Sequence, residues 1–134
     1  MTTFLDTNVV IALLNEKDPY HNWSVEELNK RKGDGPAIVS DIVYCEISIA
    51  MKDIAELDEA IVRLGLERLR CNDAALFRAG RAFKHYREIN KGPKLGLLPD
   101  FLIGAVAEVS GAPLMTTNSK DFVGYFPKMG VISP

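Results

Sequence analysis

Short apolar segments alternate along this chain with longer segments of helical periodicity, and no other feature restricts the fold as strongly. The segments Thr3–Asp6 and Ala37–Val39 are short enough that buried strands explain them better than helices. Each is followed by enough chain for a helix that leads to the next strand, and parallel strands require such crossovers. We therefore predict an α/β fold, a three-layer α/β/α sandwich with a central, mostly parallel sheet.

Capping residues, glycines and prolines indicate where the predicted elements begin and end. Asn72 or Asp73 is predicted to cap a long helix that reaches about Glu88, and Pro99 suits the first turn of a helix that reaches Ser110. Further helices are predicted at about 9–14, 20–32, 41–52 and 55–64, and further strands within 66–69, at 114–116 and at 131–132. The segment 90–96 is predicted to be a loop.

The composition fits one domain that covers residues 1–134. The chain is 47% hydrophobic and 25% charged, and its net charge is −2. The hydrophobic fraction supplies a sizeable core, and the slightly negative net charge argues against a protein whose whole surface binds nucleic acid. No apolar run is long enough to span a membrane, and the residues after Met1 lack the layout of a signal peptide. We expect a soluble, cytoplasmic protein with no membrane partner.

Four acidic residues stand beside or within strongly apolar sequence, where a solvent-exposed charge is unusual: Asp6, Glu46, Asp100 and Asp121. Asp6 follows the first predicted strand, and Asp121 lies five residues after the strand that ends at Thr116. The carboxyl ends of parallel strands share one edge of the sheet, where ligands bind. Asp100 falls in the first turn of its helix, where the dipole favours negative charge. Because unpaired carboxylates are costly to bury, we predict a cleft in which a divalent metal ion neutralises them.

Glu46 is the acid whose position most needs an explanation. On its predicted helix it shares a stripe with Ile42, Val43, Ile49 and Ala50, so the pattern places it among core-facing residues. Each acid alone has an ordinary explanation: Asp6 as a helix N-cap, Asp100 as a partner of the dipole, Asp121 as a loop acid, and Glu46 at the stripe's edge beside a Lys or Arg. The metal hypothesis depends on all four together.

The residue types in this set favour a hard metal ion. The candidate ligands offer oxygen atoms only, which suits Mg²⁺ or Mn²⁺, whereas zinc prefers nitrogen and sulfur. Cys45 and Cys71 form no CxxC or His-x-Cys pattern, so we predict neither a disulfide framework nor a zinc site. Both are interpreted as small core residues.

Basic residues are concentrated in the second half of the chain. From Ile61 to Lys94 there are nine Lys or Arg against three acids. Such a stretch is often a solvated helix face, but beside an acidic centre it can also hold phosphates. The candidate phosphate contacts are Arg78, Arg81, Lys91 and Lys94.

Four motifs follow one another in a fixed order: Phe4-Leu5-Asp6-Thr7-Asn8, Tyr44-Cys45-Glu46-Ile47, Pro99-Asp100-Phe101-Leu102-Ile103-Gly104-Ala105 and Met115-Thr116-Thr117-Asn118-Ser119-Lys120-Asp121-Phe122. In these motifs the chain resembles the PIN-domain ribonucleases, in particular the VapC-type toxins of prokaryotic toxin–antitoxin pairs. Each motif alone is weak, but together they cover essentially the whole chain at family-like spacing.

The resemblance implies a role for each matching residue. Asp6, Glu46 and Asp100 would be catalytic, metal-binding acids, with Asp121 as the fourth. Polar support would come from Thr7, Asn8, Thr116 and Asn118; whether Asn118 or Asp121 helps to hold a second ion stays open. The implied activity is hydrolysis of RNA phosphodiester bonds with one or two Mg²⁺ or Mn²⁺ ions, and the implied partners are RNA, a cognate antitoxin and a second copy in a homodimer.

Three other functions remain as alternatives. A housekeeping RNA-processing nuclease could share the same fold. A phosphatase of the haloacid-dehalogenase type also begins with a hydrophobic strand that ends in Asp, but it needs a second acid where this chain has Asn8. A non-catalytic RNA-binding or partner-binding domain would not require four acids.

Overall fold

Five parallel strands form one sheet in the computed structural model, which describes residues 1–90 and 98–134. The strands are β1 (Thr3–Leu5), β2 (Ala37–Ser40), β3 (Glu67–Leu69), β4 (Leu114–Met115) and β5 (Val131–Ile132). Their order is β3-β2-β1-β4-β5, and all four pairings are parallel. The predicted fold class is confirmed. Most of the predicted loop at 90–96, with Lys91 and Lys94, lies outside the described residues.

Seven helices connect the strands in the described parts of the chain. They are α1 (Thr7–Leu14), α2 (His21–Asp34), α3 (Asp41–Ser48), α4 (Ile54–Arg63), α5 (Asp73–Asn90), α6 (Leu98–Val109) and α7 (Lys120–Val123). The predicted cap of α5 forms as a hydrogen bond from the backbone N–H of Ala75 to the side chain of Asn72, at 2.8 Å. None of these helices is long and apolar enough to cross a membrane.

The strand order reverses beside β1. The chain moves from β1 through β2 to β3 on one side and places β4 and β5 on the other. In open parallel sheets, a crevice forms at such a reversal, outside the carboxyl ends of the strands. Asp6 follows β1 at that edge and Thr116 follows β4. The backbone N–H of Asp6 donates to the carbonyl of Met115 at 2.9 Å, so strand pairing continues to the edge of the crevice.

The core lies on both sides of the central strands. Phe4, Val39 and Leu114 are almost completely buried, as continuous apolar strands covered on two faces require. Phe101 of α6 packs in an aromatic cluster with Tyr86 and with Tyr125, whose ring centroid lies 5.1 Å away. Such pairs each contribute roughly 0.5–1.5 kcal/mol beyond burial. The cluster fixes the start of α6 against α5.

Two local predictions were wrong, and one short helix was not predicted. α3 ends at Ser48 rather than near Lys52, because the next residues form tighter bonds to the third preceding carbonyl, such as Met51 N–H to Ser48. α7 was not predicted, since four residues are too few to show a helical period. Cys45 is exposed and is not a core residue, whereas Cys71 is partly buried and packs against the core.

Candidate active site

Asp6 is the acid that the fold buries most completely, with 4% of its surface exposed. It is the N-cap of α1, and its carboxylate accepts the backbone N–H of Thr7 at 2.8 Å. A second bond comes from Thr116 Oγ1 at 2.7 Å. Burial raises the pKa of Asp6, whereas these two bonds oppose the rise by stabilising the charged form. Asp6 is thus a buried carboxylate that accepts two hydrogen bonds from the protein.

Glu46 joins the same site through Thr7. The hydroxyl of Thr7 donates to Glu46 Oε1 at 2.7 Å, while the backbone N–H of Thr7 donates to Asp6. One residue therefore orients two acids from the first turn of α1. This bond connects α1 to α3, which are 39 residues apart in sequence at the contact.

Asp121 is connected from the other side, through the segment after β4. The backbone N–H of Asn118 donates to Thr116 Oγ1 at 2.9 Å, and the side-chain amide of Asn118 donates to the Asp121 carboxylate. Since Thr116 in turn donates to Asp6, an unbroken chain of hydrogen bonds leads from Asp121 to Asp6. Three of the four predicted acids are therefore held in one network.

Asp100 joins this network by charge. It lies partly buried in the first turn of α6. Burial raises its pKa from 3.8 to about 6, with further contributions from the negative charges of Asp6, Asp121 and Glu46. Asp6, Glu46 and Asp100 line one cleft, and Asp121 is joined to Asp6 through Asn118 and Thr116. The structure thus brings together the acids that the sequence singled out.

The predicted orientation of Glu46 was wrong in one respect. The core-facing residues of α3 are Val43 and Ile47, whereas Glu46 is partly exposed and Ile49 is 87% exposed. Of the predicted stripe only Val43 is buried in the core, whereas Glu46, Ile49 and Ala50 line the rim of a cleft. Asp121 also differs from its prediction, since it lies in the first turn of the short helix α7 and not in a loop.

Three of the four acids open onto a cleft of about 370 Å³, and Asp121 is not among its lining residues. Its lining includes Asp6, Thr7, Asn8, Glu46 and Asp100, and Asn8 itself is exposed. A second cavity of about 400 Å³ shares Ile11, Ile47 and Ala50 with the first and continues between α1, α3 and α4. Sequence reasoning missed this mostly apolar groove. The available signal was that α1 is apolar on nearly every side, more than one buried face requires.

The predicted phosphate contacts differ in their surroundings. The guanidinium of Arg78 is engaged by Glu108 and by the carbonyl of Tyr125, both at 2.6 Å. Arg81 is exposed, with its guanidinium 4.7 Å from the centre of the Phe77 ring. Arg81 is therefore accessible to a ligand, whereas Arg78 already has partners within the protein.

The donor chemistry of the cleft fits an oxygen-preferring ion. Carboxylates, hydroxyls and an amide surround it, which suits Mg²⁺ or Mn²⁺ better than zinc. In residues 1–90 and 98–134, however, no three His, Cys, Asp or Glu side chains stand close enough together to hold an ion as they are. The donors fit by type, and ion binding would require the carboxylates to move closer together.

The family model for the PIN domain matches residues 3–125. The chain belongs to the PIN-domain family. No curated protein matches it in sequence.

Several solved structures have the same fold as this chain. VapBC2 from Rickettsia felis, bound to a promoter DNA fragment, matches with a TM-score of 0.74 and 18% identity over 99% of this chain and 98% of that one. DNA-bound VapBC from Salmonella typhimurium matches with a TM-score of 0.71 and 20% identity over the same shares. Mycobacterium tuberculosis VapC20, a toxin that cleaves the sarcin–ricin loop, matches with a TM-score of 0.61 and 15% identity over 92% and 95%. At these identities the likeness establishes the fold.

Proposed function

We propose that this PIN-domain protein is a metal-dependent endoribonuclease and the toxin of a toxin–antitoxin pair. The observation that carries the proposal is the gathering of four acids at the carboxyl edge of the sheet, where three of them line one cleft and three are joined by hydrogen bonds. Repulsion among unpaired acids is unfavourable unless a cation relieves it. A catalytic metal site provides that relief and explains why the fold keeps these acids together.

Asp6, Glu46, Asp100 and Asp121 are the residues that would hold one or two Mg²⁺ or Mn²⁺ ions. The chemistry that such ions supply is activation of water and neutralisation of charge on a phosphodiester. Thr7 and Thr116 orient Asp6 and Glu46 before any ion arrives. Preorganised ligands reduce the rearrangement that binding requires.

Asp121 is the better candidate for the fourth ligand than Asn118. Asn118 uses its side-chain amide as a donor to Asp121 and its backbone N–H as a donor to Thr116. It is thus already committed to orienting an acid and a hydroxyl. We assign the ligand role to Asp121 and the supporting role to Asn118.

RNA contacts in this proposal centre on Arg81. Its exposed guanidinium beside Phe77 offers both charge and a flat surface to a single-stranded RNA. Lys91 and Lys94 are proposed as further contacts to the RNA backbone on the basis of the sequence alone. Arg78 is left out, because two of its guanidinium nitrogens already donate within the protein.

An antitoxin is the proposed protein partner. Two of the compared structures are VapBC complexes. The apolar groove beside the acidic cleft offers a continuous path on which apolar side chains of a partner can pack while a cationic side chain enters the cleft. The homodimer and the cytoplasmic location remain predictions from the sequence.

Cleavage of structured RNAs, with and without EDTA, tests the activity. We expect cleavage in Mg²⁺ or Mn²⁺, none in EDTA, and loss of cleavage with retained folding in Asp6→Asn and Asp100→Asn. Glu26→Gln is the matched control, since Glu26 is an exposed acid on α2. Cleavage that survives chelation would refute the mechanism. Phosphate trapped covalently on Asp6 would instead support the phosphatase. A wild-type protein that binds RNA without cleaving it, and whose binding is unchanged by Asp100→Asn, would support a binding domain.

A further inference from the structure

Arg78 lies in α5 and connects two other parts of the molecule. Its Nε donates to Glu108 Oε1 of α6 at 2.6 Å, and its Nη2 donates to the carbonyl of Tyr125, just after α7, at 2.6 Å. The side chains of Arg78 and Glu108 are 28% and 10% exposed. Bonds of this length to a charged, partly buried donor are among the stronger ones in proteins. Arg78 therefore fixes the end of α7 relative to α5 and α6.

Phe126 reinforces the same connection. Its ring centre lies 4.9 Å from the guanidinium carbon of Arg78, within the range of a cation–π contact. The ring also packs so closely on Gly104 of α6 that a Cβ there would approach it to 2.5 Å. Gly104 lies one helical turn after Asp100. The segment after α7 is thus held against the helix that carries Asp100.

α7 transmits this restraint to Asp121. The backbone N–H groups of Tyr125 and Phe126 donate to the carbonyl of Phe122, at 3.1 and 3.0 Å. Phe122 is buried and directly follows Asp121. A helix of four residues has little stability of its own, so its position depends on what holds its ends.

We propose that Arg78 is a positioning residue that sets the separation of the Asp121 and Asp100 carboxylates by holding Tyr125 and Phe126 against α6. The consequence for catalysis rests on the proposed function, because this separation matters only if the two acids share an ion. No three acids in the described ranges are yet close enough for that. A small displacement of α7 would then decide whether Asp121 can join the others.

Hydrogen exchange of backbone amides tests the restraint without any metal or RNA. Arg78→Met should increase exchange at residues 122–126 by about tenfold, as loss of a hydrogen bond to a charged group implies, and leave β1 and α1 unchanged. Arg78→Met with Glu108→Gln avoids leaving Glu108 as an unpaired buried charge and should show the same local change. Ile61→Val, a buried change in α4, is the control for general destabilisation.

Binding of Mn²⁺, followed by electron paramagnetic resonance, tests the consequence for the site. We expect Arg78→Met to weaken Mn²⁺ binding about tenfold, in the range typical of residues that orient ligands, and Ile61→Val to leave it unchanged. Arg78→Lys should lie between, because one ammonium cannot serve Glu108 and Tyr125 in the way a guanidinium does. In the cleavage assay, kcat should fall more than KM rises.

Two results would overturn this assignment. One is exchange that increases equally throughout the protein or not at all, which would make Arg78 a general stabilising residue. The other is faster exchange confined to residues 122–126 in a variant whose Mn²⁺ affinity and RNA cleavage equal those of the wild type. If the wild-type protein itself neither binds Mn²⁺ nor cleaves RNA, the proposed function has failed, and the exchange result alone decides whether Arg78 holds α7.

Discussion

Replacing Asp100 with Asn should stabilise the metal-free protein at neutral pH while abolishing the proposed RNA cleavage. The folded-state pKa of Asp100 is about 6, against 3.8 for the ordinary side chain. Between about pH 4 and pH 6 the folded protein therefore keeps a proton that the unfolded chain has released. The free energy of unfolding must fall as pH rises through this window, and the full penalty is present above it.

The magnitude follows from this shift. About two pKa units correspond to about 3 kcal/mol, and partial exposure of the side chain reduces this to about 1–2 kcal/mol. Losing the negative charge in the first turn of α6 costs roughly 0.5 kcal/mol of helix-dipole interaction, which is the smaller effect. We expect Asp100→Asn to be more stable than wild type by about 1 kcal/mol at pH 7.5, with the difference vanishing near pH 3.5.

Urea unfolding in EDTA at several pH values measures the difference directly. Glu26→Gln, which removes an exposed charge on α2, is the matched control. Adding Mg²⁺ should stabilise wild type more than Asp100→Asn, because only the intact cluster gains a bound cation. Equal pH profiles for the variant and wild type, or a variant that is less stable at pH 7.5, would refute the idea that Asp100 is held in a repulsive cluster.

Two further predictions concern packing and hydrogen bonds. Thr116→Val should destabilise the protein by about 1–3 kcal/mol in urea unfolding, because it removes the buried donor to Asp6 and the acceptor for the Asn118 N–H. Thr117→Val is the control, and an equal loss there would contradict the assignment. Gly104→Ala should destabilise by about 1–3 kcal/mol, since its methyl group would overlap the Phe126 ring. Gly80→Ala, in open space on α5, should instead stabilise by about 0.5–1 kcal/mol, and the same sign for both substitutions would argue against this packing.

The sequence predicted the acidic cluster because strand ends and helix starts are local features. Asp6 at the end of β1 and Asp100 in the first turn of α6 could be placed from their neighbours alone. The direction of Glu46 could not, because both sides of α3 carry apolar residues and only the packed fold decides which side is covered. The bond from Thr116 to Asp6 joins residues 110 positions apart, and no local pattern predicts it.

Arg78 illustrates the same limit for charged residues. In the sequence it is one of several cations in a basic stretch, and a phosphate contact was a reasonable prediction. Its partners, Glu108 and Tyr125, lie 30 and 47 residues away, so only the fold distinguishes it from Arg81. Local chemistry identified which residues carry charge, while the tertiary structure determined which charges are already paired.

The central claim is that Asp6, Glu46, Asp100 and Asp121 together bind a divalent ion. Crystals grown with Mn²⁺ test it most directly, since manganese is located by its anomalous scattering. The expected result is a peak within about 2.0–2.4 Å of carboxylate oxygens from Asp6 and Asp100, which is lost in Asp100→Asn. Absence of any peak in this cleft, at a Mn²⁺ concentration that supports RNA cleavage in solution, would contradict the claim.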